Sequence, residues 1–261
     1  NPETDIASYT VYEKKFFGPT TLRKALANSR NVVTLKLLTK VGMSAAYSYS
    51  HRMGIKSEIL RNLSLAFGTS EVTLMELVAS FSTFPNMGVK IEPISIISIK
   101  DSSGKVMEEN IPHIQEVLKP ETAYIMTSML SSVINEGTGK AIRAMDFRYD
   151  CAGKTGTTDN QSDVWFIGFT SDLVAGVWVG FDDRRSLGSL ITSINTPAPI
   201  WGEFMLEVYK EKKPLPFSKP ENIVTVKIDP ETGLLASNKC KKTMDEIFIK
   251  GTEPTKVCNK H

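Results

Sequence analysis

The chain has 261 residues, 41% hydrophobic and 23% charged, with a net charge of +2 from 31 basic and 29 acidic side chains. That length can bury a full core, as one large domain or one domain plus a small appendage. The balanced charge excludes the concentrated basic face of a nucleic-acid binder, and no run reaches the roughly 18 apolar residues of a membrane span. The opening Asn1-Pro2-Glu3-Thr4-Asp5 has no export-signal character and no initiator Met, so the expectation is a piece of something longer.

In chain order, Thr20-Thr21 precedes Leu22, Ala25, Leu26 and Ser29, a one-face helical pattern. A second helical pattern, Val32 to Leu38, follows the polar triplet Ser29-Arg30-Asn31 and is closed by Gly42. Ser44 is the expected cap of a further helix ending at Gly54. Thr73-Leu74-Met75-Glu76 is a capping-box sequence opening a helix through Leu77, Val78, Phe81 and Phe84, stopped by Pro85 and Gly88. Ile91 to Ile99, then Asp101-Ser102-Ser103-Gly104 before Val106, predicts a hairpin. Pro120-Glu121 begins an amphipathic helix carrying Ile125, Met129, Leu130, Val133 and Ile134, closed by Gly137.

The texture then changes to three strand-like runs, Asp150 to Thr158, Asp163 to Thr170 and Leu173 to Phe181. The last two are separated by a short turn and are expected to be antiparallel neighbours. Pro199 to Tyr209 predicts a last helix. Lys210 to Pro216 has linker composition, and the tail from Asn222 alternates short strands with turns. Met126, Met129, Phe81, Phe84, Trp178 and Phe181 are expected in the core, and His51 and His113 in solvated or capping roles. The three cysteines, Cys151, Cys240 and Cys258, form no disulfide framework. Cys240 and Cys258 are able to pair in an oxidising compartment, and two separate thiols fit equally well. Zinc binding through Cys258 and His261 is not expected, since a third and fourth ligand at suitable spacing are missing; neither metal nor cofactor is expected.

The most informative stretch is Gly153-Lys154-Thr155-Gly156-Thr157-Thr158, which two unrelated chemistries use in nearly these letters. A phosphate loop needs a glycine five residues before its Gly-Lys-Thr, where this chain has Arg148, and should open a helix instead of leading to another strand. Gly137-Thr138-Gly139-Lys140 fails too, because Ala141 offers no hydroxyl. The serine acyl-enzyme alternative requires a Ser-x-Asn upstream of the Lys-Thr-Gly, and Ser29-Arg30-Asn31 supplies one between two helical patterns. Each triplet alone is weak evidence; in this order and on these elements they become specific.

With those residues in place, the chain resembles the transpeptidase domain of a bifunctional (class A) penicillin-binding protein, the type that cross-links peptidoglycan. Gly18 to Leu26, Leu63 to Thr73, Gly137 to Lys140, Ala152 to Thr158, Asp163 to Gly168, Trp178 to Asp183 and Gly251 to Thr255 carry the resemblance along nearly the whole chain. It implies an α+β penicillin-binding/β-lactamase-like fold, a central antiparallel sheet flanked by helices, with a small β-rich C-terminal appendage. The division expected is 1–213 for the transpeptidase domain, N-terminally incomplete, and 214–261 for the extension.

The resemblance also implies a two-step acyl transfer from D-Ala-D-Ala stem peptides, blocked by β-lactams. Ser29 would relay a proton to the leaving nitrogen, Asn31 would hold the substrate amide, and Lys154 would supply positive charge near the substrate carboxylate. Thr155 and Thr157 would add hydroxyls, Gly156 would let a peptide lie against the strand, and the Thr157 amide would form half of an oxyanion hole. The family nucleophile belongs to a Ser-x-x-Lys upstream of the Ser-x-Asn, which residues 1 to 28 do not contain. Ser102-Ser103-Gly104-Lys105 has the letters in the wrong place, a predicted turn. The polypeptide alone is therefore expected not to acylate. Stem peptides, β-lactams and envelope proteins are the implied partners. The implied place is the periplasmic side of the inner membrane, held by an anchor outside these residues. A non-catalytic peptide- or partner-binding module of the envelope is the alternative.

Overall fold

A computed structural model describes residues 18–259; the opening residues 1–5 and His261, on which expectations above rest, lie outside that range. Helix α1, Leu22–Ala27, is opened by Thr21, whose hydroxyl accepts from the Lys24 amide at 3.2 Å. Helix α2, Asn31–Val41, ends at Gly42, and α3, Met43–Arg52, begins immediately after it. Ser44 is not the cap expected. Gly42, at φ 92°, turns one helix directly into the next and leaves no separate capping position. Helix α4, Leu74–Phe81, carries the full capping box between Thr73 and Glu76. It ends before Phe84, because Pro85 disfavours helical backbone at the residue ahead of it, and residues 82–88 turn instead.

Strands β1, Val89–Ile91, and β4, Ile114–Glu116, pair antiparallel outside the hairpin of β2, Ser98–Lys100, and β3, Val106–Glu109. Asp101 sets the hairpin turn: its Oδ1 accepts from the Ser103 and Lys105 amides at 2.8 and 3.0 Å. Ser102 and Lys105 thus sit in a turn, as expected. Helices α5, Pro120–Asn135, and α6, Ala141–Ala144, lead into a sheet of β5, Ala152–Thr157, β6, Asp163–Phe169, and β7, Val174–Gly180. All three strands are antiparallel, in the order β5-β6-β7. Helix α7, Pro197–Val208, follows, then a two-stranded pair of β8, Ile223–Ile228, and β9, Met244–Ile249.

Side-chain alternation along β6 explains why helices cover both faces of the sheet. Phe166 points to one face, where it meets Trp201 of α7, ring centroids 5.4 Å apart, within a cluster that includes Ile134, Phe147 and Met205. Phe169 points to the other, against Phe84, Leu130 and Val133. Trp201 is fully buried, and its indole donates to the Gly168 carbonyl at 3.2 Å. A Cβ at Gly168 would come within 2.6 Å of the Phe166 ring and 2.7 Å of the Trp201 ring, so only glycine permits this approach. Phe84 is in the core as expected, with Phe81 and Met126 packed against it. Trp178 and Phe181 are not core: they are 37% and 39% exposed. Trp178 stands beside its cross-strand neighbour Trp165, and Phe181, past the end of β7, lies under the Arg185 guanidinium. Their apolar surface is shared with neighbours instead of buried.

The C-terminal pair has a smaller apolar centre, chiefly Ile223 and Ile228. It docks on the remainder through a largely buried ion pair. Arg23 of α1 reaches Glu246 of β9 at 2.5 Å and also donates to the Ser128 carbonyl and the Ser132 hydroxyl of α5.

Candidate active site

Ser29 occupies an unusual backbone position. After α1 the Ser29 amide donates to the Leu26 carbonyl at 3.1 Å and the Arg30 amide to the Ala25 carbonyl at 2.9 Å, the hydrogen-bond pair of a Schellman ending. The residue at its left-handed position is usually glycine; here it is Ser29, at φ 53°. Holding a serine there costs on the order of 1 kcal/mol, a strain that accumulates at functional sites. It turns the hydroxyl out of the helix end, and the chain re-enters a helix at Asn31.

Lys154 comes to that hydroxyl from the sheet. It lies on β5, opposite Ile167 of β6, and its Nζ donates to Ser29 Oγ at 3.0 Å and to the Thr155 carbonyl at 3.0 Å. Burial pushes the Lys154 ammonium down from 10.5 to about 8. The sequence places these two residues 125 positions apart; the fold makes them a hydrogen-bonded pair.

A third segment locks the two together. The Thr138 amide donates to the Ala27 carbonyl at 3.0 Å, and its hydroxyl meets the Thr155 hydroxyl at 2.7 Å. The loop after α5 therefore ties the approach to Ser29 to the residue after Lys154. Gly137 must be glycine, because a Cβ there would stand 2.1 Å from the Ala27 carbonyl oxygen. Thr138 falls in the Gly137 to Lys140 block that carries the family resemblance, but nothing there marks it as a site residue beyond its place as a lone threonine between two glycines.

The remaining expected residues divide. Thr155 is buried and engaged with Thr138. Thr157 lies at the exposed end of β5 and donates to the Ser193 hydroxyl at 2.8 Å. Ser193 is buried in the loop ahead of α7, and nothing local in the sequence marks it. A Cβ on Gly156 would meet the Trp165 Cβ at 3.1 Å, so this glycine also serves the packing of its own sheet. Asn31 is exposed in the first turn of α2, two residues from Ser29, and its amide makes no hydrogen bond to a described residue. Asp163 accepts from the Trp165 indole at 2.9 Å, a support within β6. Among the described residues β5 has only β6 beside it, leaving its other edge, next to Lys154, open.

The helix-flanked antiparallel sheet is the α+β fold of penicillin-binding transpeptidase domains, and on its edge strand Lys154 is hydrogen-bonded to Ser29 at a helix joint. The family described as "Penicillin binding protein transpeptidase domain" matches residues 1–181, and "Penicillin-binding protein 1A, C-terminal domain" matches residues 219–261. The chain belongs to the penicillin-binding protein transpeptidase family and carries the C-terminal domain of the 1A type. It is 39% identical to penicillin-binding protein 1A of Aquifex aeolicus over 249 residues, covering 95% of this chain and 34% of that protein. It is 34% identical to the Pseudomonas aeruginosa protein of that name, covering 93% of this chain and 36% of the relative. The chain thus spans about a third of the length of these relatives. The crystal structure of penicillin-binding protein 1A from Haemophilus influenzae superposes with a TM-score of 0.88 at 29% identity, over 95% of this chain and 42% of that one.

Proposed function

We propose that these residues form most of the acyl-transfer site of a peptidoglycan D,D-transpeptidase, with the nucleophilic serine supplied by a Ser-x-x-Lys segment outside them. The observation that carries the reading is the Lys154–Ser29 hydrogen bond, 3.0 Å long between two motifs on separate elements. The acyl donor is a stem peptide ending in D-Ala-D-Ala. The nucleophile's oxygen bonds to the penultimate carbonyl, the peptide C–N bond breaks, and terminal D-alanine leaves. An amine from a neighbouring strand then takes the acyl group and frees the serine.

Within that sequence Ser29 passes a proton to the leaving nitrogen, since its hydroxyl both accepts and donates. Lys154 keeps that hydroxyl oriented and favours the substrate carboxylate with its charge. Asn31, exposed beside Ser29, is placed to meet the substrate amide, and the open edge of β5 receives the peptide as an added strand. Thr155 and Thr157 offer hydroxyls for the carboxylate, and the Thr157 amide donates to the developing oxyanion. β-Lactams follow the first step and stop there. The protein works on the periplasmic side of the inner membrane, among envelope partners.

Fluorescent penicillin tests this in the full-length protein. Lys154→Ala is expected to slow acylation by ~10²–10⁴-fold, the range for a lost proton-transfer partner, with its thermal midpoint little changed. An unchanged acylation rate overturns the role given to Lys154. These 261 residues alone are expected to remain unlabelled; labelling at Ser29 or Ser102 refutes the external nucleophile. Lys154 gives up its proton near pH 8. Non-covalent binding of a carboxylate-bearing stem peptide should therefore weaken as pH rises through about 8, and that step should vanish in Lys154→Ala.

A further inference from the structure

The C-terminal pair holds a cluster that the acyl-transfer reading does not use. The Asp229 carboxylate and the Cys240 and Cys258 thiols place their ligand atoms all within 4.8 Å of one another. These residues come from three separate segments. Asp229 follows β8 and opens the turn Asp229-Pro230-Glu231-Thr232-Gly233, where its Oδ1 accepts from the Glu231 amide at 2.9 Å and its Oδ2 from the Thr232 hydroxyl at 3.1 Å. Cys258 is brought to it because its amide donates to the Leu235 carbonyl at 2.9 Å, and its thiol donates to Asp229 Oδ2 at 2.9 Å. Ser237 joins the other two segments, its amide donating to Cys240 Sγ at 3.2 Å and its hydroxyl to the Cys258 carbonyl at 3.0 Å. Asp229 and Cys258 are each 1% exposed, and Cys240 is half-buried.

We propose that Asp229, Cys240 and Cys258 bind a structural zinc ion. The pattern dismissed from the sequence lacked further ligands near Cys258; the fold supplies Asp229 and Cys240 from 29 and 18 residues upstream. Zinc takes thiolate sulfur at about 2.3 Å and carboxylate oxygen at about 2.0–2.2 Å in a tetrahedron. Donors around it then lie roughly 3.5–4 Å apart, within reach of the separation seen here. On binding, both thiol protons pass to solvent. Three anionic donors then surround a divalent cation, which turns their mutual repulsion into attraction. Thiolates select zinc over calcium or magnesium. The Ser237 amide is already placed to donate to one thiolate, as outer partners of metal ligands do.

The size of the unit supplies an independent reason. Chain segments of about 40 residues rarely bury enough apolar surface to hold together and are commonly stapled by disulfides or metals. This unit, matched as a domain over residues 219–261, buries little beyond Ile223, Ile228, Asp229 and Cys258. A disulfide would engage the two sulfurs alone. A cation engages all three groups.

The test uses the full-length protein purified without added metal or chelator. Elemental analysis should find about one zinc per chain, falling to about zero in Cys240→Ser and in Asp229→Asn. Cobalt(II) exchanged into the wild type should give thiolate-to-cobalt charge-transfer absorption, which keeps the proposal open to refutation if a variant does not fold. Mass analysis of the denatured, unreduced chain should show both thiols intact. A chain lighter by two thiol hydrogens and cross-linked between Cys240 and Cys258 overturns the proposal, as do zinc content unchanged in both variants and cobalt without the charge-transfer band.

Discussion

The β5–β7 sheet and the C-terminal β8–β9 pair are both antiparallel, yet they are held by different physics. The sheet is sandwiched between helices, with Phe166 and Trp201 filling one face and Phe169, Phe84 and Leu130 the other. Its stability is apolar burial, worth about 1.5–3 kcal/mol for each large side chain removed from water. The C-terminal pair has two buried isoleucines and a network of turn hydrogen bonds, and it is fastened to α1 and α5 by Arg23 and Glu246. Precise placement of Lys154 calls for a rigid wall, which a packed aromatic sheet provides. An appendage can rely on directional polar contacts, each of which fails singly.

The largest expected effect separates the two regions most clearly. Trp201→Ala empties a fully buried site and removes the indole donor to Gly168; it should cost about 3–5 kcal/mol. Urea unfolding of the variant should show the transpeptidase portion melting earlier. A loss under 1 kcal/mol would break the view of the sheet as the rigid centre.

Glu246→Ala comes next. It strands a largely buried Arg23 guanidinium that keeps, among the described residues, the Ser128 and Ser132 oxygens, at a cost of about 3 kcal/mol. The double variant Arg23→Met/Glu246→Leu should lose less than Glu246→Ala, because no charge is left buried. Limited proteolysis should cut the Lys210–Pro216 linker sooner in Glu246→Ala while the sheet stays protected. Equal losses in the single and double variants would contradict a charge-based fastening.

The smallest effect lies at the polar support of the sheet's own cover. Glu76 caps α4 and receives the Ser57 hydroxyl at 2.6 Å. That hydrogen bond, opposed by burial and reinforced by the Thr73, Lys56 and Ser57 amides, lowers its pKa from 4.5 to about 2. A carboxylate depressed in the fold stabilises above its unfolded pKa, so this contribution is complete above about pH 4.5 and disappears as pH falls toward 2. Glu76→Gln should cost about 1 kcal/mol at neutral pH and flatten the stability profile across that window. An unaltered acid limb would remove Glu76 from the account.

Local chemistry made several elements legible. The Thr73–Glu76 box, the Asp101 turn, the proline that opens α5 and the Gly42 helix stop each act within a few residues, so their pattern survives in a linear reading. The errors share one cause. Ser44 has capping chemistry, but Gly42 had already set the start of α3. Trp178 and Phe181 have core chemistry, but they fall on the sheet's margin beside Trp165 and Arg185. In each case a neighbour supplied by the backbone path outweighed the residue's own preference.

The sequence by itself determined the family, the strand character around Lys154 and the identity of the two motif triplets, because these rest on residue type and short spacing. Only the tertiary structure decided that Lys154 Nζ meets Ser29 Oγ, that Thr138 braces both, and that Ser193 holds Thr157. It also decided that Asp229, Cys240 and Cys258 converge. Hydrogen bonds and metal ligation act over about 2–3.5 Å, and no spacing along the chain specifies a separation that small between segments separated by 17 to 125 residues.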